Sequence, residues 1–201
     1  MSDQTRKDLD DTFGSDWPDI EYLVVDAYFG DEITPPPTDG RNYASTLAGL
    51  VAPFSRGNVT IVSNDTAVNP VVNPNWYADR RDQEVAIAGF KRARSAFNTA
   101  AVRPALIGEE AFPGPNVTSD AQILEAIKRS GQTVWHAAGT NKMGCPSDRM
   151  AVVDSKARVF GVKNLRVVDA SAFPFLVPGH PQGTVYCLAE KIADDILTGA
   201  L

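Results

Sequence analysis

Histidine and cysteine are scarce in this chain: two of each in 201 residues. Two cysteines, Cys145 and Cys187, cannot build a disulfide framework. They leave a single bridge or, more in keeping with so few, buried or idle thiols. No apolar run reaches the roughly 20 residues that a membrane span needs, so the membrane is not an expected partner. The opening residues, Met1 to Asp11, are polar and lack the apolar centre of a secretory signal, which makes the cytoplasm the default compartment. Excess positive charge is missing too. Nineteen Lys and Arg against 25 Asp and Glu give a net charge of −6. No basic stripe is interleaved with aromatics, so nucleic acid is not an expected partner. Two isolated histidines and scattered acids do not meet metal-ligand spacing. There is no G-x-S-x-G elbow for serine chemistry. Asn-x-Ser/Thr triplets at Asn58, Asn64 and Asn116 carry little weight without an export signal.

What is present is an ordinary globular composition, 43% hydrophobic and 22% charged, enough for one sizeable domain or one and a half. Residues 1–19 are acidic and weakly patterned and read as a flexible leader. Residues 20–29 are rich in β-branched and aromatic side chains and read as a strand. Pro35-Pro-Pro37 and Asp39-Gly40 exclude regular structure after it. Further strands are expected at 45–53 and 58–63, with a turn-rich stretch at 69–77. Alternating strands and short turns imply an antiparallel sheet. Asp82 is expected to cap a helix running to about Ala101, with Ala86, Phe90, Ala93 and Phe97 on its core face and Pro104 ending it. Ser119 and Gln122 form a capping box, and Gly131 ends the helix that follows. Short strands are expected at 133–135 and 165–169. A last helix starts near Gly183, with Val185, Leu188, Ile192 and Ile196 on one face.

Both histidines lie in the last third. One is in Thr133-Val-Trp-His136-Ala-Ala-Gly-Thr-Asn-Lys-Met-Gly144, the other in Gly179-His180-Pro-Gln-Gly-Thr-Val-Tyr186. Each sits at the edge of an element, where side chains point into clefts. Histidine titrates near neutral pH, so a sparing use of it points to acid–base work. The bland alternative is a surface or satisfied core residue. If the two rings share a pocket, they can take a proton from a hydroxyl and steady the oxygen left behind.

Between these segments runs Arg158-Val-Phe-Gly-Val-Lys-Asn-Leu-Arg-Val-Val-Asp169-Ala-Ser-Ala-Phe-Pro174. The ordered set H-x-x-G-T-x-x-M-G, R-V-F-G-V-x-N-L-R-V-V-D-A-S-x-F-P and H-P-x-G-T-x-Y closely resembles the C-terminal region of the glucose-methanol-choline oxidoreductases, over about residues 45–198. The resemblance implies an α+β fold: an antiparallel sheet flanked by helices at 20–132, then a segment from 133 to 201 that carries the histidines and completes the flavin domain in relatives. It implies His136 as proton acceptor and His180 as hydrogen-bond partner of an alcohol oxygen. Gln182, Gly183 and Thr184, at a helix N-terminus with unpaired N–H groups, are candidate contacts to the flavin. Asp169 and Ala170 resemble the contact to its ribityl–phosphate region. A capping role for Asp169, Thr140 and Thr184 stands beside these. Trp135, Phe173 and Phe175 either line an apolar substrate pocket or pack a core.

The family holds FAD chiefly through a G-x-G-x-x-G motif after a first strand, and this sequence has none. FAD is therefore expected only if a flavin-domain partner chain is supplied, and not on this chain alone. Three readings follow. The chain is the catalytic half of a flavin-dependent alcohol oxidase or dehydrogenase. Or it is a flavin-free acid–base enzyme (isomerase, dehydratase, cyclase or lyase) using the same histidines. Or it is a non-catalytic binding remnant. In the first two, the substrate is a small organic molecule, an alcohol in the first, such as a natural-product intermediate. An N-terminal partner chain or a second copy would complete the fold.

Overall fold

The computed structural model describes residues 1–31 and 33–199. They are α+β and divide into two compact units. The first comprises Met1–Gly57 and Pro74–Gln132; the second comprises Asn58–Asn73 and the chain from Thr133 onward.

In the first unit, residues 1–19, expected as a flexible leader, carry a helix. Asp3–Phe13 is a helix, α1, whose cap Ser2 accepts the Thr5 N–H. Leu9 on its inner face is buried beside Ala52 and Val85, with Phe13 and Trp17 packed against them. The acidic composition hid an amphipathic turn: Leu9 and Phe13 are four residues apart and share a face. Strand β1 (Ile20–Val25) pairs antiparallel with β2 (Ser45–Leu50), Ile20 opposite Leu50 and Val25 opposite Ser45. Helix α2 (Arg80–Phe97) lies against this pair and against α3 (Asp120–Ser130). Gly89 permits the approach: a Cβ there would sit 2.5 Å from Ile20 Cδ1.

The cap of α2 is Asp79, which accepts from Arg81 N–H, and not Asp82. Asp82 lies one turn inside and is 2% exposed. Its two oxygens accept the Phe54 and Ser55 N–H groups, each at 2.7 Å. A carboxylate in the first helical turn complements the dipole, and here it also straps the turn after β2. The helix ends at Asn98, before Pro104, which opens a separate 3-10 segment at Arg103–Ala105. The capping box on α3 forms as expected, with Ser119 and Gln122 bonding each other's backbone.

In the second unit, β3 (Asn58–Thr60) pairs antiparallel with β4 (Val71–Asn73). Both strands are exposed throughout. The single sheet expected from the sequence is thus two separate two-stranded pairs among the described residues. The strand expected at 133–135 is irregular backbone. The one expected at 165–169 contributes only an isolated bridge between Arg158 and Arg166. A strand needs a ladder partner for its N–H and C=O groups, and neither segment finds an extended one here. The core of this unit is Val153, Ala157, Ala172, Phe173 and Ile192. Helix α4 (Gln182–Leu197) supplies Ile192, while Ile196 from the expected face is exposed. Among the described residues no helix is long and apolar enough to cross a membrane.

Candidate functional site

The second unit brings the two histidines together across 44 positions of sequence. His136 Nε2 lies 2.9 Å from His180 Nδ1. The ring centroids are 4.9 Å apart, about 2 Å more than the nitrogens, so these nitrogens lie between the rings. The ring planes are nearly perpendicular, at 88°. His136 is half-buried and His180 exposed, so the pair is open to solvent.

Two backbone devices hold the rings. His136 is carried by a segment that turns at Gly139, where φ is +82° and a Cβ would press on the Phe173 carbonyl at 3.4 Å. That segment then lies along Ala170–Ala172. Gly139, Asn141 and Met143 N–H groups donate to the Ala170, Ser171 and Ala172 carbonyls. The Asn141 amide also donates to the Ser171 hydroxyl at 3.0 Å. Asn141 and Ser171 were not singled out from the sequence. The legible signal was the small-residue run Ala170-Ser-Ala172, which lets two backbones approach. His180 follows Gly179, at φ +78°, and precedes Pro181, the buried N-cap of α4.

The three aromatic candidates part company. Phe173 is buried beneath the His136 segment and packs a core. Phe175 is exposed, and Trp135 is 85% exposed. Trp135 also has φ +59°, a left-handed conformation that a bulky side chain adopts at a cost. Its N–H is satisfied by the Thr133 hydroxyl at 2.9 Å. The structure therefore presents Trp135 to solvent immediately beside His136.

Of the cofactor candidates, Gln182, Gly183 and Thr184 are all exposed at the start of α4. The Pro181 cap offers no side-chain hydrogen bond, and the space a Gly183 Cβ would enter is empty. Open N–H groups at a helix N-terminus suit an electron-rich edge, so these residues fit the carbonyl side of a flavin ring. Asp169 is exposed, and its Oδ1 accepts the Ser171 N–H, so the capping role exists in the structure. The Ala170 carbonyl already accepts from Gly139 and Phe173. Lys142 pairs with Asp148 at 2.7 Å and closes the loop after the His136 segment. Cys145 and Cys187 are free and exposed, so they are neither bridged nor buried.

Comparison with known proteins places these features in context. A family model described as GMC oxidoreductase matches residues 53–189. Patulin synthase of Penicillium expansum is 54% identical over 98% of this chain and 32% of its own length. Versicolorin B synthase of Aspergillus parasiticus is 48% identical over 99% of this chain and 30% of its own. A formate oxidase of Aspergillus oryzae RIB40 superposes with a TM-score of 0.82 at 28% identity, covering 98% of this chain and 36% of that one. The chain thus spans about a third of the length of the curated relatives it matches.

Proposed function

Because the chain belongs to the glucose-methanol-choline (GMC) oxidoreductases, we propose that it is the C-terminal catalytic portion of a flavin-dependent alcohol oxidase or dehydrogenase. The facing nitrogens of His136 and His180 carry this reading. His136 Nε2 accepts the hydroxyl proton while His180 Nδ1 donates to the same oxygen. As the O–H bond breaks, the carbon–oxygen double bond forms and the hydride leaves carbon with its electron pair. A bound flavin supplies the acceptor for that hydride. Gln182, Gly183 and Thr184 would hold the carbonyl edge of its ring, and Asp169 with Ala170 its ribityl–phosphate region. Trp135, next to His136 in sequence and exposed, is left available to a substrate.

The partner that completes the site is the nucleotide-binding part of the same enzyme type. Exposed apolar surface supports this. The second unit leaves Trp135, Phe175, Tyr186 and Leu197 more than half exposed, apolar surface that a partner can cover.

A second reading uses the same pair without net oxidation, as in cyclisation or lyase chemistry. The similarity to versicolorin B synthase, a synthase by name, favours keeping it. One experiment separates the two. The chain is combined with its nucleotide-binding part and FAD, and the flavin spectrum is followed without oxygen as a candidate alcohol is added. Bleaching of the flavin together with a carbonyl product supports the first reading. Product formed with an unchanged spectrum supports the second.

A further inference from the structure

In the pair as found, the two rings bond each other. A neutral imidazole carries one N–H and one in-plane lone pair. His136 Nε2 and His180 Nδ1 face each other at hydrogen-bond distance, so one of them holds the proton and the other spends its lone pair accepting it. Two facing lone pairs would repel, and two facing N–H groups would clash. The lone pair needed to take a substrate proton is therefore already occupied.

We propose that this N–H···N bond is a resting latch which a hydroxyl opens by inserting itself, giving N–H···O–H···N. The inference rests on the catalytic reading of the pair. Insertion costs no hydrogen bond, because one is exchanged for two. It requires a group that donates and accepts at a single atom. An alcohol or a carbonyl hydrate qualifies. An ether or a free carbonyl accepts only: it leaves one ring's lone pair facing it without a proton, or forces that ring into its other tautomer. Where the assembled enzyme covers the pair, either cost lowers the binder's affinity about tenfold or more. The latch is thus a filter for hydroxyl over carbonyl, placed at the reacting atom.

The same proton count governs release. Once His136 Nε2 has taken the hydroxyl proton, both facing nitrogens carry N–H groups and both donate to the new carbonyl oxygen. The product stays held until one proton leaves the pair. His180 is the exposed member of the pair, so the proton leaves from its side. The latch then re-forms and expels the carbonyl, which it no longer accommodates.

The chain has only two histidines, so ring-¹⁵N-histidine in this chain, combined with its unlabelled nucleotide-binding part, gives signals from these two rings alone. The expected result without ligand is a strongly downfield ring N–H with scalar coupling between the two facing nitrogens. Benzyl alcohol should abolish that coupling at concentrations about tenfold or more below those at which benzyl methyl ether or benzaldehyde does. The proposal is overturned if the coupling is absent, if benzyl alcohol leaves it intact up to its solubility, or if the ether or aldehyde opens the pair as readily. Turnover of His136→Ala in the assembled enzyme judges the underlying reading separately. Full activity there defeats the catalytic role itself, whereas a dead variant with an ether-sensitive wild-type latch defeats only the filter.

Discussion

Replacing Asp82 by Ala should cost the first unit about 3–5 kcal/mol, by the following reckoning. The carboxylate is 2% exposed and accepts two backbone N–H groups at 2.7 Å. Hydrogen bonds to a charged group contribute about 1.5–3 kcal/mol each, and donors left buried without partners keep the full desolvation cost. Those donors belong to Phe54 and Ser55, in the turn that sets Phe54 against Phe13 and beneath the Arg81 guanidinium. Losing the strap loosens both contacts, and the small void left by Ala adds little. Asp82→Asn keeps one oxygen acceptor but aims an amide N–H at the second donor, so about 2–3 kcal/mol is expected. Against a domain stability of about 5–15 kcal/mol, either loss is large. Urea unfolding followed by circular dichroism at the helix band should show a lower midpoint with an unchanged slope. A loss below about 1 kcal/mol for the Ala variant would mean that water satisfies the two amides, and the strap argument would fail.

Ser119→Ala removes the capping box of α3 and should cost about 1 kcal/mol, read as a lowered urea midpoint of the first unit. Glu84 is held down to about 2, against an ordinary value of 4.5, chiefly by the Ser2 backbone and side chain, with Thr5 and Arg80 adding to the effect. Its folded value is depressed, so the stability it contributes is full above pH 4.5 and is lost as the pH falls from there towards 2. Acid titration should therefore release α1 in that window, and Glu84→Gln should flatten the dependence. Gly183→Asp places a negative charge at the open start of α4, with no atom in its way. It should leave the isolated chain as stable or raise it by about 0.3–1 kcal/mol in thermal unfolding, while weakening flavin retention in the assembled enzyme. Unchanged flavin affinity would remove the start of α4 from the cofactor site.

The α+β class was legible because hydrophobic periodicity and local punctuation agree in α2, α3 and α4. The capping box at Ser119 and Gln122 is a purely local device, so sequence and structure coincide there. Where the expectation failed, the deciding interaction was distant. Asp82 looks like a cap until Phe54 and Ser55, from a turn 27 residues earlier, claim both its oxygens. Segments 133–135 and 165–169 carry strand-like residues but lack a ladder to join, and propensity alone does not make a strand. The approach of His136 to His180 was read from chemistry and family likeness, since no local pattern encodes a contact across 44 positions. Asn141 and Ser171, which pin the His136 segment, have side chains too common to stand out without coordinates.

The account stands most directly on the rate at which bound alcohol reduces the flavin in a single anaerobic turnover of the assembled enzyme. With His136→Ala that rate should fall on the order of 10²–10⁴-fold, the usual share of a positioned general base, while alcohol still binds. A rate within threefold of the wild type would contradict the assignment of the proton to His136, and with it the role given to the histidine pair.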